Sequence, residues 1–456
     1  MKKLLLFLTV VTYSFLTYAE GNEPKRIELT DSERQLVESN NNFAFNLFRK
    51  ARGGESSIMS PLSITYALGM MNNGAAGQTQ QEINEVLGFG DAGADAINAF
   101  CRKLLTEAPT LDETTAAEIA NTVFVNSGQN FYLQQGFIDK ANEFYDAEPQ
   151  AINFYERANA INVINGWANV HTHGMIPTLF NDEDSFDADA ANYLLNALYF
   201  KGKWTNPFDK MFTHDESFND GQTVPMMHQM AYFLYTENDL YQAICLPYGN
   251  AAYSMTVFLP HEGKTIDNVL GEMNGKNWES DKFSLYIVDL KLPRFQTGTL
   301  LPLTGIMSEL GMPLAFDRYL AEFPYFGTQP VFISNMLQKA VIDLDEEGTE
   351  AAAVTVTITI PVGSGDMPKI ATFYANRPFF YTISEQSTGA IFFVGQYLGQ
   401  GLASSIDSLT PDSSPGREIV NGKFSNRKLF DLQGRRLSSK STRGIYIEDG
   451  KKKVMK

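Results

Sequence analysis

From Thr349 to Thr359 every second residue is threonine or alanine: Thr349, Ala351, Ala353, Thr355, Thr357 and Thr359. With a period of two, these six side chains fall on one face of a strand. That face has no charge and no bulky group, so such a strand could slide between strands already in place. The run opens as Glu346-Glu347-Gly348-Thr349-Glu350-Ala351-Ala352-Ala353, acidic and small-residue sequence that suits an exposed loop. It continues as Val354-Thr355-Val356-Thr357-Ile358-Thr359-Ile360-Pro361, a β-branched run that suits a strand. No proline precedes Pro361 and no glycine follows Gly348 within the run. A segment that can be loop or central strand is a switch.

Covalent chemistry has no comparable support. The chain holds no G-x-S-x-G elbow, no H-E-x-x-H and no paired C-x-x-C. Gly263-Lys264-Thr265 ends like a phosphate loop, but Phe258 stands where a glycine is needed. His171 and His173 flank one residue near a helix end, with no acidic or cysteine partner at metal-ligand spacing, and read as a surface pair. Gly363-Ser364-Gly365-Asp366 reads as a flexible link. No nucleophile is paired with a base, and no cofactor or metal is expected.

The acidic, alanine-rich run resembles the hinge of the reactive-centre loop of inhibitory serpins. Ser60-Pro61-Leu62-Ser63-Ile64 with Gly74-Ala75-Ala76-Gly77-Gln78-Thr79 resembles the early serpin signature, and Asn196-Ala197-Leu198-Tyr199-Phe200-Lys201-Gly202-Lys203-Trp204 the central one. Leu292-Pro293-Arg294-Phe295 and Asn376-Arg377-Pro378-Phe379-Phe380 complete a set that runs in family order from about residue 28 to 399.

The resemblance implies an α+β fold with three β-sheets, about nine helices and an exposed reactive-centre loop. It implies a suicide-substrate inhibitor of serine proteases, secreted and bacterial, that is cleaved, traps the acyl-enzyme and inserts its loop as a new strand. The hinge would comprise Glu346, Gly348, Thr349, Ala351, Ala352, Ala353 and Thr355. Ser60, Ser63, Asn196, Trp204 and Gln338 match the region where the sheet parts, with Ser60, Ser63 and Asn196 as its polar cluster and Trp204 as the residue where insertion begins. Gln338 stands before Lys339-Ala340 where the family often has histidine, so this position cannot titrate. Family spacing places the reactive bond at Val362–Gly363. Ile360-Pro361-Val362 suits an elastase-like pocket, with subtilisin-like and cysteine proteases as further targets. The stretch to Pro378 is longer than family spacing, which leaves Ile360, Met367 and a cut after Asp366 as alternatives. A non-inhibitory binding protein on the same fold is the other reading; such members typically carry bulky, charged or proline residues in the hinge, and this inserting face has none.

The elements that must position these residues follow from periodicity. Leu36, Val37, Phe43, Ala44, Leu47 and Phe48 recur at helical spacing behind a Thr30/Asp31/Ser32 cap. A helix-rich region extends to about residue 180, interrupted by a strand at Ile119–Asn126. Strands then dominate: Tyr193–Phe200, Gln242–Pro247, Tyr253–Leu259, Phe283–Leu292, Phe332–Leu344, Phe379–Ser384 and Ala390–Tyr397. Helices first and strands later is an α+β pattern.

The termini are different in kind. Lys2-Lys3, the apolar run Leu4–Leu16 and Thr17-Tyr18-Ala19 read as a signal peptide over residues 1–19, so the protein is expected outside the cell or at its surface. The main domain is expected over 20–399, a Ser/Asp/Pro-rich linker over 400–418 and a separate segment over 419–456. From Arg417 on, twelve Lys and Arg face four acids, so the tail carries about +8 and the rest about −25 of the overall −17. Leu429-Phe430-Asp431-Leu432-Gln433-Gly434-Arg435-Arg436 and Arg443-Gly444-Ile445-Tyr446 resemble the C-terminal sorting segment of proteins exported by a type IX-like route, without its Tyr-Pro-Asn-Pro start. Strands are expected there at Lys428–Leu432, Gly444–Glu448 and Lys453–Met455, the last after the turn Asp449-Gly450. The acidic body argues against nucleic acid or an anionic membrane as partner. No run after the signal peptide is long enough to span a bilayer, and a monomer is expected. Cys101 and Cys245 build no disulfide framework and read as buried thiols.

Overall fold

The structure is a computed structural model that describes residues 25–219, 221–278, 283–349 and 369–399, with three short strands after residue 428. Eight α-helices and six 3-10 turns form among the described residues. Asp31–Ala51 begins behind Thr30, whose hydroxyl accepts from the Glu33 N–H while the Glu33 carboxylate accepts from the Thr30 N–H, a reciprocal cap. Pro61–Asn72 begins behind Ser60 with proline at its first position. Its residues are apolar on nearly every side, and it is buried along its whole length.

Two sheets carry this part of the chain. The larger has nine strands, running Ser57–Met59, Ile391–Tyr397, Phe379–Glu385, Tyr253–Pro260, Tyr241–Tyr248, Gln222–Glu237, Ser284–Pro293 and Ile370–Tyr374, with His214–Phe218 paired beside Gln222–Glu237. The other runs Phe295–Pro302, Asn335–Leu344, Gly348–Thr349, Asn192–Lys203, Thr115–Asn126 and Gln150–Ile152. A third, three-stranded sheet forms in the tail from Leu429–Phe430, Gly444–Glu448 and Lys451–Met455. Glu448 pairs with Lys451, the two strands running antiparallel. The strand expected from Lys453 begins at Lys451, because the hairpin partner recruits the two lysines before it.

Two apolar layers sandwich the six-stranded sheet. One face packs on the main core, with Leu194, Phe200, Met336, Ala340, Ile342 and Leu344. The other lies beneath Arg157–His171, where Ile161, Ile164 and Trp167 meet Phe124, Leu195, Ala197, Leu337 and Val341. Successive residues therefore alternate between two dry layers, which defines a central rather than a half-solvated strand.

Cys101 is buried and Cys245 half-buried, and neither is in a disulfide. Burial pushes the Cys101 thiol well above the ordinary range. The expectation that both are buried fails at Cys245, which sits on a strand face that is half open. No helix among the described residues is long and apolar enough to cross a membrane.

Ile164 is fully buried between helix and sheet. Ile164→Ala should lower stability by about 2–4 kcal/mol, read as a lower urea midpoint with an unchanged slope.

Candidate functional site

The strands Asn192–Lys203 and Asn335–Leu344 are parallel neighbours over five residue pairs, from Asn335/Tyr193 to Lys339/Ala197. That ladder then stops. At the far end Gly348 and Thr349 lie between the two strands, antiparallel to both. Thr349 pairs with Leu344 on one side and Gly202 on the other, and Gly348 pairs with Lys203. The hinge residues Gly348 and Thr349 are thus already a central rung.

Gly348 is required there. Its φ is 148°, and a Cβ would stand 2.1 Å from the Gly202 carbonyl oxygen and 2.7 Å from the Lys203 Cα. Backbone on one side and left-handed torsion on the other leave room only for glycine. Asp345 shapes the turn that leads in: its carboxylate accepts from the N–H of Glu347 at 2.8 Å and of Gly348 at 3.1 Å. The Asp345 N–H donates to the Gly348 carbonyl at 2.8 Å.

Thr349 is 1% exposed, and its hydroxyl lies 2.9 Å from that of Tyr248. Tyr248 stacks on Trp204 with ring centroids 4.5 Å apart. The Trp204 indole N–H donates to the Asp345 carbonyl at 3.0 Å, and its backbone N–H donates to that of Glu347 at 2.9 Å. Burial raises the Tyr248 hydroxyl's pKa far above the ordinary range, so it is a neutral hydrogen-bonding group at any working pH.

The two glutamates stay at the mouth. Glu347 pairs with Lys210 at 2.5 Å, and Glu346 accepts from the Thr213 hydroxyl at 2.7 Å with Arg294 3.5 Å away. Burial favours the protonated Glu346, but the Thr213 bond, a backbone bond and the Arg294 and Lys210 charges outweigh it. They hold its carboxyl below the usual range.

At the closed end a buried polar cluster ties the two strands to the helix beneath. The Gln338 side chain accepts from the Ser60 N–H at 2.9 Å and donates to the Ser60 carbonyl at 2.8 Å, the Ser63 hydroxyl at 2.9 Å and the Asn196 amide oxygen at 3.0 Å. The Ser63 hydroxyl also donates to Asn196. The Asn196 amide donates to the Ser63 carbonyl at 2.9 Å and to Asn121 at 2.5 Å. All five residues are buried.

Four of the five residues expected where the sheet parts are therefore one cluster: Ser60, Ser63, Asn196 and Gln338. Trp204 is not among them; it stands at the open end, against Tyr248 and the hinge. Glu346, Gly348 and Thr349 lie at that end as well. Ala351, Ala352, Ala353, Thr355, Val362 and Gly363 fall outside the described residues. Sequence reasoning missed Asn121, Tyr248, Asp345, Thr213 and Arg294. An asparagine inside the run Ile119–Asn126 was the available signal for the first, the position next to Glu346 for Asp345 and the motif Leu292-Pro293-Arg294-Phe295 for Arg294; Tyr248 and Thr213 are brought in from separate elements and leave no local pattern.

His171 and His173 remain separate side chains. His171 bonds the Trp167 carbonyl, and His173 reaches Glu118 at 2.9 Å on the surface. No group of three His, Cys, Asp or Glu that could hold a metal occurs among the described residues.

Comparison with known proteins agrees with this geometry. The family model described as Serpin (serine protease inhibitor) matches residues 38–399. Glia-derived nexin of Rattus norvegicus is 32% identical over 85% of this chain and 97% of its own. The native-state crystal structure of Tengpin, a thermophilic serpin, superposes with a TM-score of 0.71 at 26% identity, covering 82% of this chain and 96% of that one. A thyroxine-binding globulin in complex with thyroxine also gives 0.71 at 26% identity, over 80% of this chain and 99% of that one.

Gln338→Ala should destabilise the protein by about 1–3 kcal/mol, because it leaves the Ser60 N–H and carbonyl and the Ser63 hydroxyl without this partner. A lower melting temperature checks it. Glu346 has a depressed carboxyl pKa in the folded state, so its contribution is present above the unfolded value and is lost as pH falls through the folded one. The hinge should therefore loosen below about pH 4.5 in wild type. In Glu346→Gln that acid step should vanish, as followed by Trp204-region fluorescence.

Proposed function

The chain belongs to the serpin family, whose members are generally protease inhibitors, and we propose that it is an inhibitory member cleaved within residues 350–368. A serine protease attacks the loop as substrate. Its serine adds to the Val362 carbonyl, the Val362–Gly363 bond breaks with a proton passing to the new amine, and the ester remains. The freed segment then continues the strand that Gly348–Thr349 begins.

The observation that carries this reading is the register of Thr349. Extending its antiparallel pairing by two residues at a time sets Ala351 opposite Ile342 and Phe200, Ala353 opposite Ala340, and Thr355 opposite both Gln338 and Asn196. Thr355 would thus arrive where the buried cluster must open, with a hydroxyl that can donate to one amide and accept from the other. The intervening residues suit the opposite layer. Val354 would face Ala197, and Val356 would face Leu195 and Leu337, beneath Arg157–His171. Small residues at the tight rungs and β-branched residues on the helix side match both faces. Eleven residues from Glu350 to Ile360, at about 1 kcal/mol per ladder bond plus side-chain burial, would give a driving force on the order of 10–20 kcal/mol.

Val362 supports elastase-like targets, with subtilisin-like and cysteine proteases as further candidates. No Lys or Arg stands between Gly348 and Lys369, so a trypsin-like pocket finds no cation. The N-terminal run supports export through a signal peptide over residues 1–19, and the tail supports a separable sorting or anchoring segment. Likeness to a thyroxine-binding globulin supports the second reading, a non-inhibitory binding protein; the uncharged inserting face favours inhibition.

Incubation with a panel of proteases should yield an SDS-stable complex with an elastase-like enzyme and none with trypsin. The released C-terminal fragment should begin at Gly363 by mass spectrometry; a start at Met367 or later would shift the bond. Protein nicked once in the loop should melt far above the intact form. Thr349→Arg places a charge at a 1%-exposed position, so it should turn the inhibitor into a substrate, seen as a large rise in the stoichiometry of inhibition. Equal melting of nicked and intact protein would leave the binding-protein reading. Deleting residues 403–456 should leave inhibition unchanged and alter export or surface retention; loss of inhibition in a folded truncation would place the tail in the functional domain.

A further inference from the structure

The outward face of the nine-stranded sheet is apolar where a solvated face should be polar. On Gln222–Glu237 the alternate residues Met230, Tyr232 and Leu234 are 62%, 37% and 43% exposed. Their partners on Ser284–Pro293 share that face: Tyr232 pairs with Ile287 and Leu234 with Leu285, which is 47% exposed. Ile370, 70% exposed, pairs with Ile287 from the other side. The intervening residues Phe233, Tyr235, Val288 and Leu290 are buried, so the sheet's inner face is already satisfied. Six apolar side chains on three adjacent strands thus have no described cover. A contiguous patch of this kind marks an interaction site rather than scattered exposure.

A polar margin borders it on one side. Asp289 accepts from the Tyr374 hydroxyl at 2.5 Å and meets the His228 ring at 2.6 Å, while Lys291 pairs with Glu216 at 2.7 Å. These groups satisfy one another, so the patch presents an apolar centre with a self-contained polar rim, the anatomy of a protein interface.

We propose that Met230, Tyr232, Leu234, Leu285, Ile287 and Ile370 form a secondary docking surface for the protease that attacks the loop, which they contact through an apolar or aromatic patch of that enzyme. This rests on the inhibitory reading above. The occupant follows from reach. Ile370 belongs to the patch and lies eight residues from Val362, so an extended chain puts the reactive bond at most about 30 Å away. A protease of roughly 220 residues has a radius of gyration of about 17 Å and is about 40 Å across. A body of that size held on so short a tether covers the base of the loop. The argument survives a shift of the bond to Met367, which only shortens the tether.

The test is the second-order rate constant of complex formation with the enzyme the panel identifies. Tyr232→Ser/Leu234→Ser should lower that constant about tenfold or more while the stoichiometry of inhibition and the melting temperature hold, since docking is lost and insertion is not. Tyr319→Ser, at an 88%-exposed site elsewhere, should leave it unchanged. If wild type traps the enzyme and the double variant traps it equally fast, the docking surface is overturned and the inhibitory reading stands. If wild type traps no protease, both fall. A wild-type dimer by light scattering that the double variant abolishes, with trapping rates equal, would assign the patch to a second copy of this chain and overturn the proposal.

Discussion

Everything in the six-stranded sheet depends on how weakly its two middle strands are joined. Asn192–Lys203 and Asn335–Leu344 pair directly for only five residues, and the bond between their side chains is polar: Gln338 to Asn196. Parallel neighbours of this kind can admit an antiparallel strand between them without either reversing direction. A hydrogen bond also exchanges more cheaply than an apolar contact. In the proposed insertion each amide that loses a partner would regain one from the incoming strand, so the net change would stay small even though an orphaned amide would cost about 1–3 kcal/mol. Leucines at these positions would hold the seam with packing that an incoming strand would have to displace.

The same seam explains why the hinge composition has two faces. The rung at Thr349 faces the main core, shown by its bond to Tyr248 and its pairing with Leu344. Every second residue after it inherits that side. On insertion, Thr and Ala there would fit a core that is already filled, while Val354, Val356 and Ile358 would fall on the side of Ile161 and Trp167. In the proposed mechanism, local propensity and both packing layers favour the same strand, the consistency expected of a sequence with two compatible structures.

Much of this was legible in the chain. The alternation from Thr349 to Thr359 names the face, and strands such as Tyr253–Pro260 are where their β-branched runs end, because they are buried on both sides. Gln222–Glu237 was not legible. It is the longest strand, yet Met226, Met227, His228, Gln229 and Pro225 give it little β signature. Three neighbours hold it, His214–Phe218, Ser284–Pro293 and Tyr241–Tyr248. Tertiary pairing overrides propensity there. Phe295–Pro302 was missed because Gly298 interrupts the run. Among site residues, Ser60, Ser63, Asn196 and Gln338 came from motif resemblance, whereas Tyr248 and Asn121 act only through partners distant in sequence. Trp204 was matched apart from that cluster, as the residue where insertion would begin, and its side chain lies against Tyr248 and Asp345 beside the hinge.

Finally, the rung at Thr349 alters the problem that insertion must solve. Starting a strand from a free loop means ordering several residues before any ladder bond forms, the same penalty that makes a first helical turn slow. Here the first rung exists in the uncleaved chain, positioned by Asp345 and by a glycine no other residue can replace. Growth then proceeds by adding residues to an existing edge. In the proposed mechanism growth would be limited by the two ends: Glu346 and Glu347, before the rung, are tied to Thr213 and Lys210, and beyond it the far end of the loop is fixed at Ile370. In the proposed mechanism a chain anchored at both ends could not feed the eleven residues Glu350 to Ile360 into the sheet, and a cut beyond Ile360 would remove that restraint alone. On that reading the energy would be held by connectivity rather than by a strained contact, so that a single peptide bond could control it.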